Sequence, residues 1–214
     1  MGGGADLDFR ILGPIEVSNG AGLLRLGGPK QRALLADLAL NAGTIVSTAR
    51  LIEDLWGDDP PPTAGHTVEA YISRIRRILR DGSTREVLLS KPPGYLLDVG
   101  RDRVDAFRFE ELVEEGTGAA GRGDDSKASA VFRDALGLWR GDALADVCEM
   151  PFARVAARRL ADRRVVAVER RIECDLRLGR APQLVAELEA LAAAHRSEER
   201  RVGKECRSRW SPYH

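Results

Sequence analysis

The chain has 214 residues, enough for one large or two small domains with real cores, and its 33 Lys+Arg balance 33 Asp+Glu. That balance excludes attraction to a polyanion through bulk charge, so any nucleic-acid contact has to come from a local basic patch. No apolar run approaches the roughly 20 residues that span a bilayer, and "MGGGADLDFR" lacks a leader pattern, so a cytoplasmic protein without membrane association is expected.

Three cysteines, Cys148, Cys174 and Cys206, form no CxxC pair, which argues against a disulfide framework or a zinc cluster. In chain order, "LDFRILGPIEV" alternates apolar and polar residues at Leu7, Phe9, Ile11, Ile15 and Val17, and "GLLRLGG" repeats the pattern. Three short antiparallel strands are predicted. The period turns helical in "GGPKQRALLADLALNAG": Pro29 suits a first turn, Leu34, Leu35, Leu38 and Ala42 share a face, and Gly43 ends the element. After a short "TIVS", Ser47 or Thr48 caps "ARLIEDLWG", which buries Leu51, Ile52, Leu55 and Trp56 and stops at Gly57.

"DDPPPT" is a turn, because three prolines remove donors and disfavour helix at the preceding residues. Thr63 is a candidate cap for the next helix, 63–80, whose buried stripe is Val68, Ile72, Ile75 and Leu79 with help from Tyr71 and Ile78. Its opposite side carries His66, Ala70, Ser73 and Arg77, flanked by Arg74, Arg76 and Arg80. "EVLLS" and "YLLDV" then read as strands joined by "KPPG", with Lys91 at the hairpin tip. Beyond Asp105 the pattern is helical throughout, in antiparallel pairs that suggest a tetratricopeptide-like superhelix without a strict 34-residue repeat.

Several motifs resolve to ordinary structure. "GTGAAG" (116–121) satisfies GxGxxG but follows a helix instead of a strand, so it is expected to be an interhelical loop and not a dinucleotide turn. "GGPK" lacks P-loop spacing, leaving Lys30 as a surface residue. Trp56 and Trp139 sit among leucines at helical spacing and are expected in the core. "RRLADRR" (158–164) is expected to be a solvated face pairing with Asp162 and Glu169. No HExxH, GxSxG or paired Cys/His spacing occurs, so no enzyme, metal or cofactor is implied.

Residues 71–80 hold four positive and no negative side chains. Helix, turn, basic amphipathic helix and hairpin follow one another in the order of a winged helix. In that fold the second helix of the motif enters the major groove of duplex DNA and the hairpin reaches backbone or minor groove. Side chains opposite the stripe reach bases and those on the shoulders meet phosphates. The rival from another class is a helical interaction scaffold whose basic helix docks an acidic surface.

"FRILGPIEV", "GGPKQRALLADLALNAG", "LIEDLWGDDPPPTA", "YISRIRRIL" and "KPPGYLLDV", in that order, resemble the SARP/AfsR-type antibiotic regulatory proteins. "VDAFRFEELV" and "ALGLWRGDALADV" resemble the bacterial transcriptional activator domain that follows in them. The resemblance implies a mainly α chain with small antiparallel β: an OmpR/PhoB-type winged helix over 7–100, then an all-α tetratricopeptide-like domain over 105–196. It implies a recognition helix at 63–80, a wing at 86–99, and DNA contacts from His66, Thr67, Ser73, Arg74, Arg76, Arg77, Arg80 and Lys91. It also implies activators that self-associate head to tail on promoter direct repeats and recruit RNA polymerase at biosynthetic gene clusters. "TAGHTVEAY" departs from the commoner form at Gly65 and His66, which bears on base preference. With no receiver domain ahead of the winged helix, direct phosphorylation control is not implied.

The string 197–214, "SEERRVGKECRSRWSPYH", has no amphipathic period and resembles one reading frame of a sequencing adapter. A chain cut short within the second domain is expected, and Trp210, Cys206 and His214 carry no functional weight. Without that string 28 basic residues face 30 acidic ones.

Overall fold

Residues 7–83, 85–186 and 189 are described by the structure, a computed structural model. The alternating start folds into an antiparallel pair, β1 (Asp8–Arg10) and β2 (Glu16–Ser18), with Phe9 opposite Val17 and both side chains buried. The expected third strand shrinks to a Ser18–Leu23 bridge and a Leu24 N–H donated to the Val17 carbonyl. Leu23 is exposed and the run reaches glycine within a few residues, so too little apolar surface is buried to extend the ladder.

α1 (Pro29–Leu40) starts on proline and buries Leu34, Leu35 and Leu38. β3 (Ile45–Ser47) is the strand inside "TIVS", and it leads directly into α2 (Thr48–Trp56), whose first turn is capped by Ser47 Oγ accepting the Arg50 N–H at 3.2 Å. α3 (Ala64–Gly82) runs two residues further than the predicted helix, and Thr63 precedes it without a side-chain cap bond. β4 (Leu88–Lys91) and β5 (Gly94–Leu97) form the hairpin, and β3 pairs with β5 to give the order β3-β5-β4. Gly94 is required where β5 crosses β3, because a Cβ there would run into the Val46 carbonyl.

α4 (Asp105–Gly121), α5 (Asp125–Gly137) and α6 (Pro151–Arg177) make the second region, and the chain is helical again at 181–186. The loop expected at 116–121 is in fact the last turns of α4. Gly116 lets α5 approach closely, since a Cβ would lie 2.8 Å from Phe132 Cε1, and this buried contact outweighs the helix cost of glycine, about 1 kcal/mol. The turn falls instead at 122–124, where the Asp124 carboxylate accepts the Lys127 N–H and starts α5.

The two regions share one apolar core that runs from Leu7 to Cys174. The N-terminal strands are the clasp. The Asp105 carboxylate, at the first turn of α4, accepts the N–H groups of Ile11 and Leu12 at 2.8 and 3.1 Å. Arg140 and Leu144 return their N–H groups to the carbonyls of Leu12 and Ile11. Asp146 takes Arg32 from α1 at 2.9 Å and the Ile15 N–H at 3.0 Å. Burial pushes the Asp105 carboxyl up, against the opposing pull of those amides and of Arg140.

Two buried acids sit deeper. Asp175 on α6 is held by Ser129, Arg133 and Arg180 at 2.6 to 3.0 Å. Burial alone would raise its pKa, but those three partners hold it below the usual carboxylate value. Asp37 on α1 is raised to about 7 by burial and by the neighbouring Asp54 carboxylate on α2, with Arg50 and Asn41 opposing. Its Oδ2 meets no hydrogen-bonding partner among the described residues, in keeping with a carboxyl whose charged form is disfavoured there. Of the cysteines, Cys174 is buried and Cys148 exposed. Cys206, the end of the predicted second domain and the string 197–214 lie outside the described residues.

Candidate nucleic-acid interface

α3 is amphipathic because apolar residues recur every three or four positions: Val68, Ile72, Ile75 and Leu79 are all at or below 3% exposure. Burial of that stripe turns His66, Glu69, Ala70, Ser73, Arg74, Arg77 and Arg80 outward. The hairpin β4–β5 stands beside the helix, with Lys91 exposed at its tip, paired across the ladder with Gly94. A Pro92–Pro93 cis peptide makes the turn. The Thr48 N–H donates to the Pro93 carbonyl, so the turn also rests on the start of α2.

The four arginines divide. Arg74, Arg77 and Arg80 are exposed, and among the described residues no hydrogen bond or ion pair holds them or Lys91. Arg76 is only 23% exposed and lies across onto the wing. Its Nε donates to the Leu88 carbonyl at 2.7 Å and its Nη2 to Ser90 Oγ at 2.8 Å. Glu86 Oε1 is 3.4 Å from Nε, and the guanidinium sits 5.9 Å from the centre of the Tyr95 ring. The planar fork is spent on the hairpin. Arg85, at the base of the wing, is tied to the Asp98 carbonyl and carboxylate in the same way.

Among the smaller residues expected at the interface, His66 is exposed at the helix start with Nδ1 3.4 Å from Glu69 Oε2. Thr67 is half-buried, and its hydroxyl donates back to the Thr63 carbonyl at 3.0 Å. Ser73 is exposed one turn before Arg77. Residue spacing alone missed the inward turn of Arg76, although its place beside Ile75 at the edge of the apolar stripe is a readable signal. It also passed over Glu69, the acid on the same face.

The second basic run behaves differently from expectation. Arg159 on α6 reaches Glu110 on α4 at 2.7 Å, and Arg164 lies 4.8 Å over the Trp139 ring, which itself packs edge-on against Phe109. Partners on other elements thus take the role expected of Asp162 and Glu169. Lys30 also stacks, 4.3 Å over Trp56. Among the described residues no helix is long and apolar enough to cross a membrane, and no cluster of three or more metal-ligating side chains forms.

Two family models match in tandem: "Transcriptional regulatory protein, C terminal" over residues 25–97, and "Bacterial transcriptional activator domain" over 104–207. The first covers the winged-helix elements from the segment before α1 through β5; the second begins one residue before α4. The regulatory protein DnrI of Streptomyces peucetius is 40% identical over 196 residues, 88% of this chain and 72% of that protein. AfsR of Streptomyces griseus is 38% identical over 91% of this chain, and the chain spans 19% of its length. The transcriptional regulatory protein MoaR1 of Mycobacterium tuberculosis is 36% identical over 88% of this chain and 62% of its own length. A solved structure of Mycobacterium tuberculosis EmbR in complex with a low-affinity phosphopeptide shares the fold at a TM-score of 0.83 and 35% identity, over 90% of this chain and 51% of that one. With a basic helix and wing of this geometry, these likenesses show that the chain belongs to the SARP/AfsR-type antibiotic regulatory protein family, transcriptional regulators in which a DNA-binding winged helix precedes a bacterial transcriptional activator domain.

Proposed function

We propose that the chain is a sequence-specific activator of a secondary-metabolite gene cluster, binding promoter direct repeats as head-to-tail copies and recruiting RNA polymerase in the cytoplasm. One observation carries the DNA-binding half of this reading: α3 presents three unpaired arginines on a face that no other element covers, beside a wing that the fourth arginine holds in place. Arg77 with Ser73 and His66 reads base edges, Arg74, Arg80 and Lys91 neutralise phosphates, Thr67 supports the helix start, and Arg76 sets the wing. The last assignment departs from a direct phosphate contact, because Nε and Nη2 of Arg76 already have acceptors on the wing. Activation and polymerase contact rest on the family alone.

A salt-titrated gel shift on a promoter fragment, with bulk competitor DNA, tests the reading. Each lost phosphate contact lowers the salt slope by about 0.9. A bidentate arginine–guanine contact is worth roughly 1 to 3 kcal/mol of discrimination. Arg77→Ala should therefore relax sequence preference, and Arg80→Ala should weaken all sequences alike. Equal affinity of both variants and wild type would refute the assignment. A helical scaffold docking an acidic protein would give no specific retardation at all.

A further inference from the structure

Glu69 occupies the exposed face of α3 one turn after His66 and one turn before Ser73. Its side chain is 64% exposed. Among the described residues its carboxylate has one hydrogen-bonding partner, His66 Nδ1 at 3.4 Å, on a side chain that is itself 89% exposed. It lies on the wing side of the helix, near enough to Tyr95 to add to the effect of burial in raising that phenol. A carboxylate here opposes phosphate binding by simple Coulomb repulsion. It does nothing for a helix that only grips the backbone, and its one hydrogen-bonding partner among the described residues is itself solvent-exposed.

In the major groove a carboxylate accepts from the N4 amino group of cytosine, whereas thymine O4 and the guanine O6 and N7 edges meet it acceptor to acceptor. We propose that Glu69 is a specificity residue that reads cytosine in the operator, with His66 beside it orienting the carboxylate. The proposal rests on α3 being the recognition helix. Glu69 and Arg77 are eight residues apart, about 12 Å along the axis, so the cytosine should fall within about four base pairs of the position read by Arg77.

Binding-site selection from a randomised duplex library, using the full chain as wild type, Glu69→Gln, Glu69→Ala and Arg77→Ala, tests this. Wild type should enrich a cytosine column at about tenfold over thymine or guanine. Glu69→Gln should move that column toward adenine, whose N6 and N7 suit an amide. Glu69→Ala should flatten it and raise affinity for unrelated DNA. Motifs unchanged in both Glu69 variants, with the Arg77→Ala motif altered, would overturn the role of Glu69 and leave groove docking intact. An unchanged motif in all three variants, or no enriched motif for wild type, would instead remove the recognition-helix reading and this inference with it.

Discussion

Residues 74–80 of α3 and 158–164 of α6 each carry four arginines within two helical turns, yet the fold employs them differently. On α6 it sets an acid and an aromatic ring opposite two of the four, so Arg159 pairs with Glu110 and Arg164 stacks on Trp139, while among the described residues no hydrogen bond or ion pair holds Arg158 or Arg163. On α3 it sets nothing opposite three of the four, and only Arg76 is recruited into packing. A basic run therefore offers a binding surface to the extent that its tertiary neighbours leave its charge unspent, three of four on α3 and two of four on α6. Charge density along the chain does not distinguish the two.

The sharpest way to break this contrast is to remove the free charges together. Arg74→Ala, Arg77→Ala and Arg80→Ala in one chain should cost about 4.5 kcal/mol of DNA affinity, near two thousandfold, at the roughly 1.5 kcal/mol that is the low end for a contact to a charged group. Its salt slope should fall by about 1.8, for the two phosphate contacts assigned to Arg74 and Arg80. Alanine at Arg159 and Arg164, the two that the fold has engaged, should leave both quantities unchanged in fluorescence anisotropy. If the α6 variant lost as much as the α3 variant, the distinction would collapse.

The acids divide as the arginines do, and Asp37 is the buried counterpart of the exposed Glu69. The Asp37 pKa of about 7 lies above the ordinary 3.8, so the folded state holds its proton more tightly than the unfolded chain. Stability then declines as pH rises from about 4 to 7 and stays lower above that. Asp37→Asn should remove the loss, stabilising the protein by roughly 3 kcal/mol at pH 8 and little at pH 4, once coupling to Asp54 is allowed for. Denaturant melts at the two pH values read the difference, and a pH-independent effect would place the penalty elsewhere.

Arg76 tests the border between the two classes. Arg76→Ala should cost about 1 kcal/mol of stability and speed amide exchange in β4, because the Leu88 carbonyl loses its donor. DNA affinity should drop severalfold without a change in motif. Arg76→Lys keeps the charge but not the fork, so it should restore neither the affinity nor the exchange protection, and the salt slope should stay at the wild-type value in both variants. Smallest of all, Arg164→Ala should lower stability by about 0.5 to 1 kcal/mol through the lost contact with Trp139 and leave DNA binding intact. A thermal melt beside the anisotropy assay separates the two effects.

Local chemistry alone was enough to place α1, α2, α3 and the hairpin in order, since Pro29, Ser47, the proline turn and the 3.6-residue stripe of α3 act through neighbours a few residues away. Six of the seven exposed side chains on that face of α3 followed from that stripe, because burying one side of a helix dictates the other; Glu69 was passed over. Three features lay beyond local reach. The 116–121 glycines read as a loop until Phe132 from α5 packed against Gly116, and "TIVS" had no assignment until β5 supplied a partner. Arg76 looked like its neighbours until β4 offered a carbonyl and a hydroxyl. Residue type and spacing determined which surface of α3 faces outward. Only the tertiary structure decided which of its charges remain free, because a side chain's partner is set by what the rest of the chain brings within about 3 Å.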